Sequence, residues 1–120
     1  MYQVILADDQ SEFREWVRAM LEKSDCFQVV GQANSGAEVL GLLTHLKPDL
    51  ILSDIDMPGL DGLDMTREVR EKYPSANVIL FSGYTGRGYE RMAQEEGALG
   101  FIPKMRLSLE TLGQVLKRER

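Results

Sequence analysis

Five short apolar runs, each followed by a longer stretch of helical period, constrain what this chain can fold into. The runs are Val4-Ile5-Leu6-Ala7, Phe27-Gln28-Val29-Val30-Gly31, Leu50-Ile51-Leu52-Ser53, Val78-Ile79-Leu80-Phe81 and Gly100-Phe101-Ile102. Runs that are apolar on both faces fit strands of a parallel sheet covered on both sides. After the first run, Phe13, Trp16, Val17, Met20 and Leu21 share one face of a helix beginning after Ser11. Ser35 is expected to cap a second helix carrying Val39, Leu40, Leu43 and Leu46, which Lys47-Pro48 ends. A third is expected from Leu63 to Lys72, stopped by Pro74, and a fourth from Gly88 to Glu96, ending at Gly97. Ser108 should cap a fifth, with Leu109, Leu112, Val115 and Leu116 on its apolar face. Five strands and five helices in strict alternation imply right-handed crossovers and a doubly wound α/β fold.

The length, 120 residues, suits one compact domain over residues 1–120, and 43% apolar residues are enough to fill its core. Any output domain would lie outside this chain. A formal net charge of -5 argues against a nucleic-acid surface, which needs clustered Lys and Arg. Cys26 is the only cysteine, so neither an internal disulfide nor a metal-binding cysteine pair can form. A reducing cytoplasm is the expected compartment. The first apolar run lacks a basic flank and is too short for a signal peptide or a membrane span.

Chemistry concentrates where the strands should end. Asp8 and Asp9 follow the first run, Asp54 and Asp56 the third, Ser82 the fourth and Lys104 the fifth. In an open parallel sheet the ligand crevice lies beyond the carboxyl ends of the strands, where strand order reverses. Carboxylates gathered there repel one another unless a proton or a cation intervenes. A divalent, oxygen-preferring ion removes that cost, and Mg²⁺ suits a site with few carboxylates and several retained waters. An incoming phosphoryl group could then bridge metal, hydroxyl and ammonium, with a carboxylate as nucleophile.

Asp8-Asp9, then Asp54 followed by Met57-Pro58-Gly59, then Ser82 and Lys104 resemble, in order and spacing, the receiver domain of two-component response regulators. The resemblance covers essentially the whole chain and implies a flavodoxin-like sheet of order 2-1-3-4-5. It implies Asp54 as phosphoacceptor, Mg²⁺ held directly by Asp9 and Asp54, through water by Asp8, and by the backbone carbonyl of Asp56. Ser82 takes the place of the switch hydroxyl, Lys104 that of the phosphate-reading lysine, and Phe101 that of the switch aromatic. A sensor histidine kinase is the implied phosphodonor, and a homodimer on phosphorylation is a further expectation. The wording Met-Pro-Gly-Leu-Asp-Gly-Leu after the acceptor and Gly-Phe-Ile-Pro-Lys near the end is similar to the LuxR/NarL-type subfamily. Such proteins reach DNA only through a separate output domain. Such a domain is a regulatory phosphoacceptor, not an enzyme acting on other substrates.

Four positions depart from the common pattern: Asp56, Gly83, Gln10, and Pro103 standing before Lys104. Asp54-Ile55-Asp56 also looks like the Asp-x-Asp of haloacid-dehalogenase-type phosphatases. Those place the motif after the first strand and carry a cap, for which 120 residues leave little room. His45, near the end of a helix, reads as a surface residue favoured by the helix dipole. Phe13 and Trp16 read as packing residues, and Met20, Met65, Met92 and Met105 as core or boundary fillers. The glycine-rich segment 83–88 is expected to order when phosphate binds.

Overall fold

The computed structural model describes residues 1–84 and 87–118, so Thr85 and Gly86 of the glycine-rich segment lie outside the described residues. Five strands form one sheet: β1 (Tyr2–Ala7), β2 (Phe27–Ala33), β3 (Leu50–Asp54), β4 (Asn77–Ser82) and β5 (Gly100–Pro103). The helices are α1 (Ser11–Glu22), α2 (Gly36–Leu42), α3 (Gly62–Lys72), α4 (Arg87–Glu95) and α5 (Leu109–Arg118). All strand pairs are parallel and the order is β2-β1-β3-β4-β5. Among the described residues no helix is long and apolar enough to cross a membrane.

Alternation along the strands divides the core into two layers, because successive side chains leave a strand on opposite faces. Val4, Leu6, Leu50, Leu52, Ile79 and Phe81 meet Val17 and Leu21 of α1 and Leu112 and Val115 of α5. Ile5, Ile51, Val78 and Leu80 meet Val39 of α2, Met65 and Val69 of α3 and Ala93 of α4. Every residue of β3 is buried, as befits the central strand. The polar residue at its end, Asp54, is therefore carried to the site on the most enclosed element of the fold.

Three local expectations are corrected. α2 ends at Leu42 instead of reaching Leu46. Thr44 and His45 donate backbone N–H groups to Gly41 and Leu42, three residues back, and the Thr44 hydroxyl also takes the Gly41 carbonyl at 2.7 Å. A threonine that offers its hydroxyl to a nearby carbonyl competes with the helical ladder. Trp16 is 51% exposed, although Val17 beside it is buried. It stacks on Phe13 with ring centroids 5.7 Å apart, outside the core. Met105, at 83% exposed, fills nothing, whereas Met65 is a core residue. Ser35 and Ser108 do cap α2 and α5, accepting the N–H groups of Glu38 and Thr111.

Candidate functional site

Asp54 and Ser82 are the last residues of β3 and β4, not the first residues of the following loops. Asp8 stands just beyond β1, its N–H bonded to the Ala33 carbonyl. Lys104 opens a short 3₁₀ turn, Lys104–Arg106, directly after β5. Asp8, Asp54 and Ser82 are buried, and Asp9 is exposed.

Lys104 ties the cluster together. Its ammonium lies 3.0 Å from Asp8 Oδ2 and 3.0 Å from Asp54 Oδ2, and it donates to Gln10 Oε1 at 3.0 Å. The same Nζ stands 4.4 Å from the centre of the Phe13 ring and 5.7 Å from that of Phe81. Aromatic faces carry negative potential, so both rings hold the cation where the carboxylates need it. Asp54 Oδ1 accepts the Asp56 N–H at 3.0 Å. Asp8 Oδ1 accepts the Gln10 N–H at 2.8 Å, and Arg14 anchors the Asp8 backbone carbonyl at 2.7 Å.

One ammonium faces several carboxylates. Oxygens of Asp8, Asp9 and Asp54 all lie within 4.8 Å of one another. Asp8 Oδ2 is buried and, among the described residues, has no partner besides the Lys104 ammonium. A buried carboxylate oxygen that must share its one ammonium with Asp54, beside two further hard oxygen ligands, fits a divalent cation of the Mg²⁺ or Ca²⁺ type.

Enclosure at the end of β3 acts on Asp54, whose carboxyl is pushed up to about 6. Burial is the main cause, and the charge of Asp8 adds to it; Lys104 and the Asp56 N–H pull the other way without winning. For Lys104, burial opposes the charge, but the hydrogen bonds and charges of Asp54 and Asp8 outweigh it and hold the ammonium above its usual range. A consequence follows for metal-free protein. Unfolded Asp54 releases its proton near 3.8 and folded Asp54 near about 6, so between those values the folded state binds the proton more tightly. Stability contributed by this group is complete below that window and is lost as pH rises through it. In chelator, Asp54→Asn should remove this slope. It should be more stable than wild type at neutral pH by about 1–2 kcal/mol, after screening at the open mouth of the site. Urea unfolding across the acidic range checks it; parallel pH profiles for the two proteins would contradict it.

Asp56 occupies an unexpected role. Its carboxylate accepts the Ser82 hydroxyl at 3.0 Å and the Tyr89 hydroxyl at 3.3 Å. Ser82 Oγ in turn accepts the N–H of Tyr84 at 3.0 Å. Phe101 pairs with Leu80 across the β4–β5 ladder and packs, half-buried, on the layer that holds Tyr89. Gln10, Phe13, Arg14 and Tyr89 were not singled out for this site from sequence. The proximity of Gln10 and Arg14 to the Asp8-Asp9 pair was the available hint.

The site is thus an acidic cluster with a lysine in the crevice at the carboxyl edge of a doubly wound parallel sheet. The family model of the response regulator receiver domain matches residues 4–117, and the chain belongs to that family. The response regulator GacA of Pseudomonas viridiflava is 36% identical over 104 residues, covering 87% of this chain and 49% of GacA. A protein-glutamate methylesterase/protein-glutamine glutaminase of Lawsonia intracellularis is 39% identical over 106 residues, covering 87% of this chain and 29% of that protein. The chain thus spans about half the length of GacA or less than a third of the methylesterase. Among solved structures, the signal receiver domain of NarL from Mycobacterium tuberculosis superposes with a TM-score of 0.89 at 34% identity. The match covers 98% of this chain and 94% of that one.

Proposed function

We propose that this receiver domain is a phosphoacceptor switch, taking a phosphoryl group onto Asp54 from the phosphohistidine of a sensor kinase. The observation that carries the reading is the placement of one ammonium, Lys104 Nζ, 3.0 Å from both Asp8 and Asp54. An Asp54 carboxylate oxygen attacks phosphorus, the histidine N–P bond breaks, and its electron pair leaves on the imidazole. Asp9, Asp54 and the Asp56 carbonyl would hold Mg²⁺ directly and Asp8 through water. The ion's contribution is to neutralise the phosphoryl oxygens and the acidic cluster. Lys104 and Ser82 then meet the remaining phosphoryl oxygens, and Phe101 follows Ser82 as the switch aromatic.

The kinase, a phosphorylation-linked homodimer, a cytoplasmic location and regulation of transcription through a separate output domain all belong to this proposal. DNA would be reached only through that output domain, and the domain's own chemistry would be limited to accepting and losing the phosphoryl group. No observation favours the haloacid-dehalogenase alternative. The Asp56 carboxylate that it needs as general acid already accepts from Ser82 and Tyr89.

The test is intact-mass measurement after incubation with acetyl phosphate and Mg²⁺. One phosphoryl group should be gained by the wild type, lost with chelator, and absent from Asp54→Ala. Labelling that persists in Asp54→Ala would reject the assignment.

A further inference from the structure

Ser82 has a single hydroxyl proton, and the resting protein directs it at the Asp56 carboxylate. We propose that Asp56 is a built-in competitor for the phosphoryl group, holding the Ser82 hydroxyl until phosphate displaces it, with Tyr89 as the donor that makes release tolerable. The inference rests on the phosphoacceptor reading of Asp54.

A phosphoryl oxygen on Asp54 can only accept, so Ser82 cannot bond to it while donating to Asp56. The competing bond is to a carboxylate, which makes it stronger than one to a neutral acceptor. Ser82 is fully buried and its oxygen already accepts the Tyr84 N–H, so its proton has few other directions to take. Once Ser82 turns to phosphate, the half-buried Asp56 carboxylate is left with the Tyr89 hydroxyl, at present a long contact of 3.3 Å. A charged acceptor stripped of donors is costly, and Tyr89 limits that cost. Asp56 therefore opposes the switch and Tyr89 assists it. Because Tyr89 lies on α4, the same carboxylate couples that helix to the state of Ser82, by a route separate from Phe101.

The experiment is a titration with beryllofluoride, a phosphoryl mimic, at saturating Mg²⁺, with metal affinity measured beforehand using Mg²⁺ alone. Trp16, the only tryptophan, reports on it through Phe13, whose ring lies under Lys104. Asp56→Ala should bind the mimic about 3–10-fold more tightly, the scale of one charge-assisted hydrogen bond. In a Ser82→Ala background the same change should alter affinity less than about twofold, since the two residues act as one unit. Tyr89→Phe should weaken binding, but only while Asp56 is present. Asp56→Asn, which keeps the side-chain volume, should fall between wild type and Asp56→Ala.

Equal tightening with and without Ser82 would mean that Asp56 acts only by through-space repulsion, and would overturn the proposal. So would no tightening at all. A wild type that fails to bind the mimic, or binds it equally after Asp54→Ala, would instead overturn the phosphoacceptor reading beneath it.

Discussion

Lys104→Met should unfold at markedly lower urea than the wild type in chelator at mildly alkaline pH, with a loss of about 2–4 kcal/mol. Methionine keeps a long apolar stem against Phe13 and removes only the charge. The side chains of Asp8 and Asp54 are 1% and 5% exposed and that of Lys104 is 15% exposed, so the pair of carboxylates would lose its cation inside the protein. Removing one member of a buried ion pair costs more than the pair itself contributes, because the remaining charges are neither solvated nor compensated. The carboxylates have one escape, which is to take up a proton. Asp54 already titrates near about 6, and without Lys104 its carboxyl should rise further. The loss should accordingly shrink at mildly acidic pH, where the proton replaces the ammonium. Added Mg²⁺ should restore part of it at alkaline pH by supplying a cation to the same oxygens. A variant as stable as wild type at alkaline pH in chelator would mean that solvent already screens the cluster.

Gly62→Ala should cost about 2–3 kcal/mol, at the upper end of what one added methyl group does in a packed site. A Cβ there would stand 2.3 Å from the Asp54 carbonyl oxygen and 2.8 Å from Ile55 Cα, both backbone atoms with no rotamer to change. The Gly62 N–H bonds the Ile55 carbonyl at 2.9 Å, so the first turn of α3 rests directly on the end of β3. Relief of the clash must move that turn or the strand end, and a shift of the strand end carries the Asp54 carboxylate away from Lys104. Phosphorylation by acetyl phosphate should therefore slow as well. Gly41→Ala is the internal control: its Cβ would meet nothing within 4 Å, and alanine should stabilise α2 by about 0.5–1 kcal/mol. Equal melting temperatures for Gly62→Ala and wild type would show that α3 can shift without cost.

Much of the architecture was legible because it depends on local period. Leu50-Ile51-Leu52 fitted a strand covered on both faces, and the spacing of Val17 and Leu21 fitted a shared helical stripe, and both are buried so. The positions of Asp8, Asp54, Ser82 and Lys104 were legible for the same reason, since each abuts the end of an apolar run. Their strand order was not read from the chain itself but came from the family resemblance. Local period says that a strand exists and leaves its neighbour open.

Tertiary structure alone decided which atoms meet. Gln10 and Lys104 are 94 residues apart and Asp56 and Tyr89 are 33 apart, and no spacing rule relates either pair. The edge of the α1 stripe was also beyond local reading: Trp16 and Val17 share the helical period, yet only Val17 joins the core while Trp16 stays half exposed. Periodicity records which side of an element avoids water. The contacts that hold Lys104 between two carboxylates and Ser82 against Asp56 depend on how far each strand runs before it ends. That length is set jointly by all five strands of the sheet.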